Sequence, residues 1–298
     1  MRYSTPEAFR RALETRLLAA AREAGVPVVR LRKLVVFDRL LARLLAVSPD
    51  RWILKGALAL DLRLGTRART TRDMDLARWD TEAAATVDLL AAQAVDLNDY
   101  FMFRIERTDR LEALVEGVAV RYHVTAELAG RRFEDAILDI GFGGALVTSP
   151  EALRGTELLT FAGIEPIEVP VLPLEQHVAE KVHAYTRSYE GGQRSTRVKD
   201  LVDLVLIRSS AEFLAQRLRE AIEATFGYRD THPVPAELPS PPPEWATAYR
   251  RMAAGIGIDP DVLVGYRLAT TFLDPVLGGV LQPSALWDPT EGVWRAPA

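Results

Sequence analysis

The sequence predicts an α+β protein with an α/β first half, residues 1–170, and a mostly helical second half, residues 171–298. Short apolar or alternating runs, which are typical of strands, recur between amphipathic helices in the first half. From Leu174 onward the apolar residues follow the helical period instead. With 298 residues, 48% of them hydrophobic and 26% charged, the chain is long enough to bury a sizeable core.

Composition excludes several classes of protein and site. The chain contains no cysteine, which excludes a disulfide framework, a thiol nucleophile and any cysteine-ligated metal. Its four histidines are too scattered to indicate a histidine-rich metal centre. No stretch approaches the roughly 18 uncharged apolar residues of a membrane span, and the N-terminal residues lack the apolar core of a signal peptide. We therefore expect a cytoplasmic protein.

Charge is distributed unevenly along the chain. Residues 1–80 hold 17 Lys and Arg against 9 Asp and Glu, whereas residues 81–180 hold 7 against 18. A basic first third on an acidic protein is compatible with a polyanionic ligand that approaches this part of the chain. The alternative is that these arginines only solvate helices, and charge alone does not decide between the two.

The first two predicted elements are helices. Thr5 as N-cap and Pro6 in the first turn predict the start of a helix, and Gly25 predicts its end. A second helix is predicted over residues 31–47, with a break at Ser48-Pro49-Asp50.

A strand–helix–strand pattern follows. The apolar run Trp52-Ile53-Leu54 predicts a buried strand, and residues 57–64 predict a short helix that Gly65 ends. After a loop over residues 66–72, Asp73-Met74-Asp75-Leu76-Ala77 alternates charged and apolar residues, as a half-buried strand does.

The rest of the chain continues this division. We predict a helix over 81–97, strands over 101–107, 118–128 and 136–140, and helices over 175–186, 198–207 and 213–226. The proline-rich residues 232–244 predict an extended strap rather than a disordered linker, because amphipathic helices resume at Trp245 and Asp261.

Asp73 and Asp75 are the first candidates for chemistry. Residues two apart on a strand leave the same face, so both carboxylates can reach divalent cations spaced about 3.5–4 Å apart. The spacing alone is weak, because Asp259-Pro260-Asp261 has it too and has the pattern of a helix N-cap.

Two neighbouring features strengthen the candidate. Lys55-Gly56 places a glycine at a helix N-terminus, where free N–H groups favour phosphate, although a plain turn is the alternative. Asp139 ends an otherwise apolar strand, where an unpaired carboxylate is costly, although a salt bridge or an edge position would explain it. Together these residues outline a two-metal nucleotidyl transferase site.

Five segments stand together in a characteristic order: Leu54 to Gly65, Arg69 to Leu76, Val178 to Thr186, Val198 to Leu204, and His232 to Trp245. In these segments the sequence resembles the nucleotidyl transferase AbiEii/AbiGii toxin family, which belongs to the DNA polymerase β-like nucleotidyltransferases and includes the MenT toxins. The resemblance spans about residues 30–290. It implies a polymerase β-like nucleotidyltransferase domain in the first half and a helical domain that contributes Lys181 and Asp203 to the site.

The resemblance also implies roles for single residues. Asp73 and Asp75 would hold Mg²⁺ or Mn²⁺, and Thr71 stands where relatives carry a hydroxyl important for activity. Lys181 would bind nucleotide phosphates, and Asp203 with Asp200 would complete the site. The spacing of Asp200 and Asp203 puts both on one helix face among apolar residues, which disfavours full exposure.

One position departs from the family, and one assignment stays open. The family usually has Gly-Gly or Gly-Ser where this chain has Gly56-Ala57, which we interpret as tuning of the phosphate contact. Asp139 is proposed as the third carboxylate, a metal ligand that also helps to deprotonate the acceptor hydroxyl, but Glu127 or Glu134 are alternatives.

The implied activity is transfer of a nucleoside monophosphate from an NTP, a pyrimidine by resemblance, to the 3′ end of tRNA. The protein would be the toxin of a type IV toxin–antitoxin system with a separately encoded antitoxin. Lys55, Gly56 and Lys181 would contact the nucleotide, and the loop arginines would contact its phosphates or the RNA, namely Arg67, Arg69 and Arg72.

Two alternatives remain open at this point. The same chemistry could modify a hydroxyl of a protein or a small molecule. A catalytically silent module that binds RNA or a partner protein is the alternative from another class, and retention of both aspartates, Lys181 and Asp203 argues against it.

Overall fold

A computed structural model describes residues 1–108, 120–187 and 197–296. Within these residues the chain divides into two compact units. The first contains residues 1–66, 70–143 and 150–172, and the second contains residues 67–69, 144–149 and the chain from residue 173 onward. The domain boundary predicted after residue 170 stays a prediction.

The first unit is a mixed sheet covered by helices. Its elements are α1 (Pro6–Ala24), α2 (Val28–Val47), β1 (Ile53–Lys55), α3 (Gly56–Leu64), β2 (Asp73–Arg78), α4 (Glu82–Ala94), β3 (Phe101–Arg107), β4 (Val120–Leu128), β5 (Arg131–Phe142), β6 (Glu151–Arg154) and β7 (Glu168–Val171). Among the described residues, seven strands form one sheet in the order β3-β4-β5-β2-β1-β7-β6. Strand β2 runs parallel to β5 and antiparallel to β1.

The second unit is helical with a small three-stranded sheet. Its elements are α5 (Leu174–Thr186), α6 (Val198–Arg208), β8 (Phe213–Leu214), α7 (Ala215–Arg229), α8 (Trp245–Ala254), α9 (Val262–Leu277), β9 (Leu286–Asp288) and β10 (Val293–Arg295). Hydrogen bonds connect the proline-rich strap, residues 232–244, to two helices. Tyr185 of α5 donates to the Pro239 carbonyl, and the Leu238 N–H donates to Asp274 of α9. Of the described helices, none combines the length and the apolar character that a bilayer crossing requires.

Local signals explain where the helices begin and end. Thr5 caps α1 through a hydrogen bond from the Ala8 N–H, and Gly25 ends it in the left-handed conformation, as predicted. Asp261 caps α9, which confirms that the Asp-Pro-Asp segment is a helix start. The helix predicted to reach residue 97 ends at Ala94, because Val95 is extended and Asp96 accepts the Asn98 N–H in a turn.

Other predicted bounds also shift. Strand β5 is longer than the predicted 136–140, since it continues a hairpin from β4, and the first two residues of the strand predicted over 118–128 lie outside the described residues. The helix predicted over 213–226 begins only at Ala215, because the two preceding residues pair with β9. The short strands β6, β7, β9 and β10 were not predicted.

Successive side chains of the central strands β2 and β5 point alternately into the core and toward the opposite face of the sheet. Met74 and Leu76 of β2 and Leu138 and Ile140 of β5 are fully buried in the core of the first unit. The intervening positions, including Asp73, Asp75 and Asp139, leave the opposite face. Strand periodicity therefore places these three carboxylates on one side of the sheet.

Candidate functional site

Four charged residues from four adjacent strands stand directly opposite one another in the first unit. Lys55 of β1 pairs with Asp75 of β2, Asp75 pairs with Asp139 of β5, and Asp139 pairs with Arg121 of β4. Directly opposed residues share a face and lie about 4.5–5.5 Å apart at their Cβ atoms in antiparallel pairs. We call Lys55, Asp75, Asp139 and Arg121 the charge row.

Asp73 extends the charge row by one further carboxylate. It lies two residues before Asp75 on the same face of β2 and is half-buried. Among the described residues, the Asp73 carboxylate makes no hydrogen bond or ion pair. Thr71, two residues earlier, closes a local turn: its hydroxyl donates to the Asp73 carbonyl at 3.0 Å and accepts the Asp73 N–H at 3.3 Å.

Gly56 begins α3 immediately beside the charge row. Its φ is +67°, and a Cβ atom at this position would overlap the Asp75 carboxylate. Glycine is therefore required here both by backbone conformation and by the close approach of Asp75. The sequence predicts that this glycine lies at a phosphate-binding position. The close approach of Asp75 explains the presence of glycine without reference to any ligand.

Asp139 is paired within the charge row. Arg121 donates from Nε to Oδ1 at 2.6 Å and from Nη2 to Oδ2 at 2.7 Å. These hydrogen bonds raise the pKa of Arg121 in spite of its partial burial, and the charges of Asp139, Asp73 and Asp75 act in the same direction. The salt bridge that the sequence left open as an explanation of Asp139 is present.

The other two candidates for the third carboxylate lie elsewhere on the sheet. Glu127 stands opposite Arg132 near the β4–β5 turn, and Glu134 lies 3.8 Å from the Lys33 ammonium. Among the described residues, no group of three or more His, Asp or Glu side chains is arranged to hold a metal ion. Asp73 and Asp75 offer carboxylate oxygens of the kind that a hard divalent cation prefers. Both Asp139 oxygens accept hydrogen bonds from Arg121.

The second unit contains a different cluster of charges. The Lys181 ammonium on α5 lies 2.6 Å from Asp203 Oδ2 and 3.6 Å from Asp200 Oδ1, both on α6. Arg69 donates to both oxygens of Asp203 at 2.9 and 3.0 Å, and Arg197 donates to Asp200 at 2.7 Å. We call Arg69, Asp203, Lys181, Asp200 and Arg197 the buried charge network.

Burial makes this network electrostatically strong. Asp203 is fully buried and Asp200 is 2% exposed, so neither is the surface charge that helix spacing alone would allow. Burial by itself would raise the pKa of Asp203, but the charges of Lys181 and Arg69 and their hydrogen bonds outweigh it and hold the pKa well below its ordinary range. Lys181 is therefore held close to a permanent carboxylate.

The three loop arginines do not share one environment. Arg67 and Arg72 are exposed, whereas Arg69 is committed to Asp203. The basic excess of residues 1–80 is also partly internal, because four of its arginines are buried in ion pairs: Arg30 with Asp61, Arg39 with Asp38, Arg43 with Asp99, and Arg78 with Asp80 and Asp88. Neither interpretation of the charge asymmetry anticipated this use of arginine.

The chain matches one protein family in sequence and is similar in fold to a solved structure. The family described as "Nucleotidyl transferase AbiEii toxin, Type IV TA system" matches residues 39–270. MenT4, a nucleotidyltransferase toxin of Mycobacterium tuberculosis H37Rv, is similar in fold, with a TM-score of 0.58 and 18% identity over 93% of this chain and 92% of that chain. The JHP933 protein of Helicobacter pylori is 18% identical over 87% of this chain and 84% of its own, with a TM-score of 0.35. No curated protein matches the sequence.

Proposed function

Because the chain belongs to the AbiEii family of nucleotidyl transferase toxins, we propose that it transfers a nucleoside monophosphate from a pyrimidine NTP to the 3′ end of a tRNA. As a member of this family it is a nucleotidyltransferase toxin of a type IV toxin–antitoxin system. An NTP substrate and an antitoxin partner follow from that membership. The tRNA acceptor, the pyrimidine preference and the metal are the parts that we propose.

The observation that carries the proposal is the pair of carboxylates on one face of β2 beside the start of α3. Asp73 and Asp75 supply hard oxygen donors of the kind Mg²⁺ and Mn²⁺ prefer, and they would hold the cation. Bound there, the cation would supply the charge that stabilises the transferring phosphate. The N–H groups in the first turn of α3, beginning at Gly56, favour binding of a phosphate by hydrogen bonding and by the helix dipole.

The buried charge network supports phosphate binding in another way. Lys181 is a compact point charge on a flexible stem, which suits contact with a phosphate oxygen. Asp203 and Asp200 orient its ammonium and offset the cost of its burial. We propose that Lys181 contacts the phosphates of the NTP and that the two aspartates act through Lys181.

The exposed loop arginines are the candidates for contact with the acceptor. Arg67 and Arg72 flank the segment that precedes β2 and can each reach a phosphate of a polyanion. Arg69 is a candidate only if it leaves Asp203. Docking of tRNA near this loop would account for a basic segment on a chain whose net charge is −4.

Incubation of the purified protein with each labelled NTP, Mg²⁺ and total RNA tests the proposal. We expect label in RNA of tRNA size with CTP or UTP. Asp73→Asn should abolish it, because an amide keeps the shape of the side chain but cannot supply the negative charge. Asp50→Asn, a change at an exposed aspartate distant in sequence, is the matched control and should keep full activity.

Two outcomes would contradict the proposal. Label that enters protein or a small molecule instead of RNA would favour a transferase with another acceptor. Failure of the folded protein to turn over any NTP with Mg²⁺ or Mn²⁺ would favour a binding module without catalytic activity.

A further inference from the structure

In the pair formed by Asp139 and Arg121, both carboxylate oxygens are hydrogen-bonded, whereas the guanidinium keeps donors that the carboxylate does not use. Both Asp139 oxygens accept hydrogen bonds, from Nε and Nη2. Among the described residues, Arg121 Nη1 donates no hydrogen bond. The Asp139 side chain is 4% exposed and the Arg121 side chain 22%. The carboxylate is therefore the enclosed partner, and the guanidinium keeps donors on the open side.

A β-bulge builds this pairing. The β4–β5 hairpin turns at Ala129-Gly130, and its first pairs are Leu128 with Arg131 and Glu127 with Arg132. The register then shifts by one residue between Ala126 and Glu127, so that Arg121 stands opposite Asp139. Without the shift, Arg121 would stand opposite Leu138, whose side chain is fully buried in the core.

Arg121 also lies on the face that carries the other candidate ligands. Asp75 is the direct cross-strand neighbour of Asp139, and Asp73 leaves the same face two residues earlier. The positive charge of a paired arginine offsets much of a carboxylate's attraction for a divalent cation. A guanidinium held on two of its nitrogens, in contrast, is oriented for a second bidentate contact with an oxyanion.

We propose that Asp139 is a positioning residue rather than a metal ligand, and that the Arg121 it orients contacts the polyphosphate of the NTP. The inference rests on the proposed nucleotidyl transfer and assigns a substrate-binding residue to it. Asp73 and Asp75 then supply the protein's carboxylate ligands to the cation. Arg121 Nη1 and the remaining Nη2 proton donate to non-bridging phosphate oxygens.

Three variants test this assignment: Arg121→Met, Asp139→Asn and the double variant Arg121→Met/Asp139→Asn. Mn²⁺ affinity, read by electron paramagnetic resonance without substrate, reports on metal ligands independently of activity. Binding of a labelled NTP in the presence of Mn²⁺ reports on polyphosphate contact and requires no acceptor. Arg104→Met is the matched control, because Arg104 is a 65% exposed arginine on the adjacent strand β3.

We expect Mn²⁺ affinity within about twofold of the wild type in Asp139→Asn, and a loss of about tenfold or more in Asp73→Asn. NTP affinity should fall by about tenfold in Arg121→Met, as for loss of a charged hydrogen-bonded contact. Asp139→Asn should reproduce part of that loss, and the double variant should be no worse than Arg121→Met alone, because Asp139 acts through Arg121.

The opposite pattern would overturn the assignment. It would show Asp139→Asn lowering Mn²⁺ affinity as strongly as Asp73→Asn, with NTP affinity unchanged in Arg121→Met. Because Arg121→Met leaves a buried carboxylate unpaired, the double variant provides the test of NTP binding in a chain without that defect. A wrong RNA acceptor would leave all of these binding results intact, so its failure is distinguishable from failure of this inference.

Discussion

The charge row of the first unit and the buried charge network of the second differ in sign and in exposure. With Asp73 included, the row places three carboxylates against two cations, whereas the network places three cations against two carboxylates. Asp73 and Asp75 are half-buried, but Asp200 and Asp203 are almost completely buried. An acidic excess favours cations, and a basic excess favours phosphates.

The two clusters also arise from different periodicities. Cross-strand register aligns the row, so its members come from four strands and from widely separated positions in the sequence. Helical spacing builds the network, since Asp200 and Asp203 lie i, i+3 on α6 and face α5. The half-buried carboxylates Asp73 and Asp75 should therefore matter more for chemistry than for stability, whereas the buried charge network should matter for both.

Aspartate-to-asparagine changes in the two clusters should produce the largest and most opposed effects. Asp203→Asn leaves buried Lys181 and half-buried Arg69 without their carboxylate, and we expect a loss of about 3–5 kcal/mol in the free energy of unfolding, measured with urea. Asp73→Asn should change stability by less than about 0.5 kcal/mol but slow nucleotide transfer roughly a thousandfold. Equal destabilisation by both changes would remove the distinction.

Lys181 variants sharpen the role assigned to the network. Lys181→Ala should weaken NTP binding by about tenfold, as expected for a lost charge-assisted contact. Lys181→Arg should restore it poorly, because a planar and bulkier guanidinium replaces a point charge between two buried carboxylates. Lys199→Ala on α6 is a suitable control, since Lys199 is exposed. Equal NTP affinity in all of these proteins would leave Lys181 with a structural role alone.

Acid should weaken the buried charge network through Asp203. The folded pKa of Asp203 lies below its ordinary value of 3.8, so its contribution to stability is complete above that pH and is lost as the pH falls toward the folded value. In this pH range the free energy of unfolding of the wild type should fall with decreasing pH more steeply than that of Asp203→Asn. The difference in slope should be up to about 1.4 kcal/mol per pH unit. Asp38 and Asp61, whose pKa values burial raises, contribute the opposite slope in both proteins and cancel.

Loop arginines should produce the smallest effect. Arg67→Ala and Arg72→Ala, each at an exposed position, should flatten the salt dependence of tRNA binding by about one unit of log–log slope per lost phosphate contact. Arg69→Ala should instead lower stability, because it removes a partner of buried Asp203. An unchanged salt slope would place the RNA elsewhere on the protein.

Much of the fold could be predicted because helix caps and the periodicity of apolar residues mark individual elements in the sequence. The caps Thr5 and Asp261 and the alternation of β2 each specify an element by themselves. Strands β6 and β9 escaped prediction because four-residue and three-residue segments carry too little periodicity. Their pairing partners are defined only in the folded chain.

The candidate site could be predicted less completely. Asp73, Asp75, Gly56 and Lys181 carry local or family signals, but Arg121 carries none. Its alignment with Asp139 depends on the bulge near Ala126, and counting back from the hairpin turn without that bulge would place it opposite Leu138. The burial of N-terminal arginines in ion pairs could not be predicted either, because tertiary packing determines their partners.

Strand order in the first unit has a consequence for how a newly made chain matures. Strands β1 and β2 come earliest, yet they lie in the interior of the sheet, with β5 beside β2 and β7 beside β1. During synthesis from the N-terminus, the ribbon of β1 and β2 keeps both edges open until those later strands emerge. Lys55 and Asp75 place charges on that exposed ribbon, which opposes pairing with other nascent chains. We therefore expect Lys55 and Asp75 also to oppose aggregation of the unfinished chain.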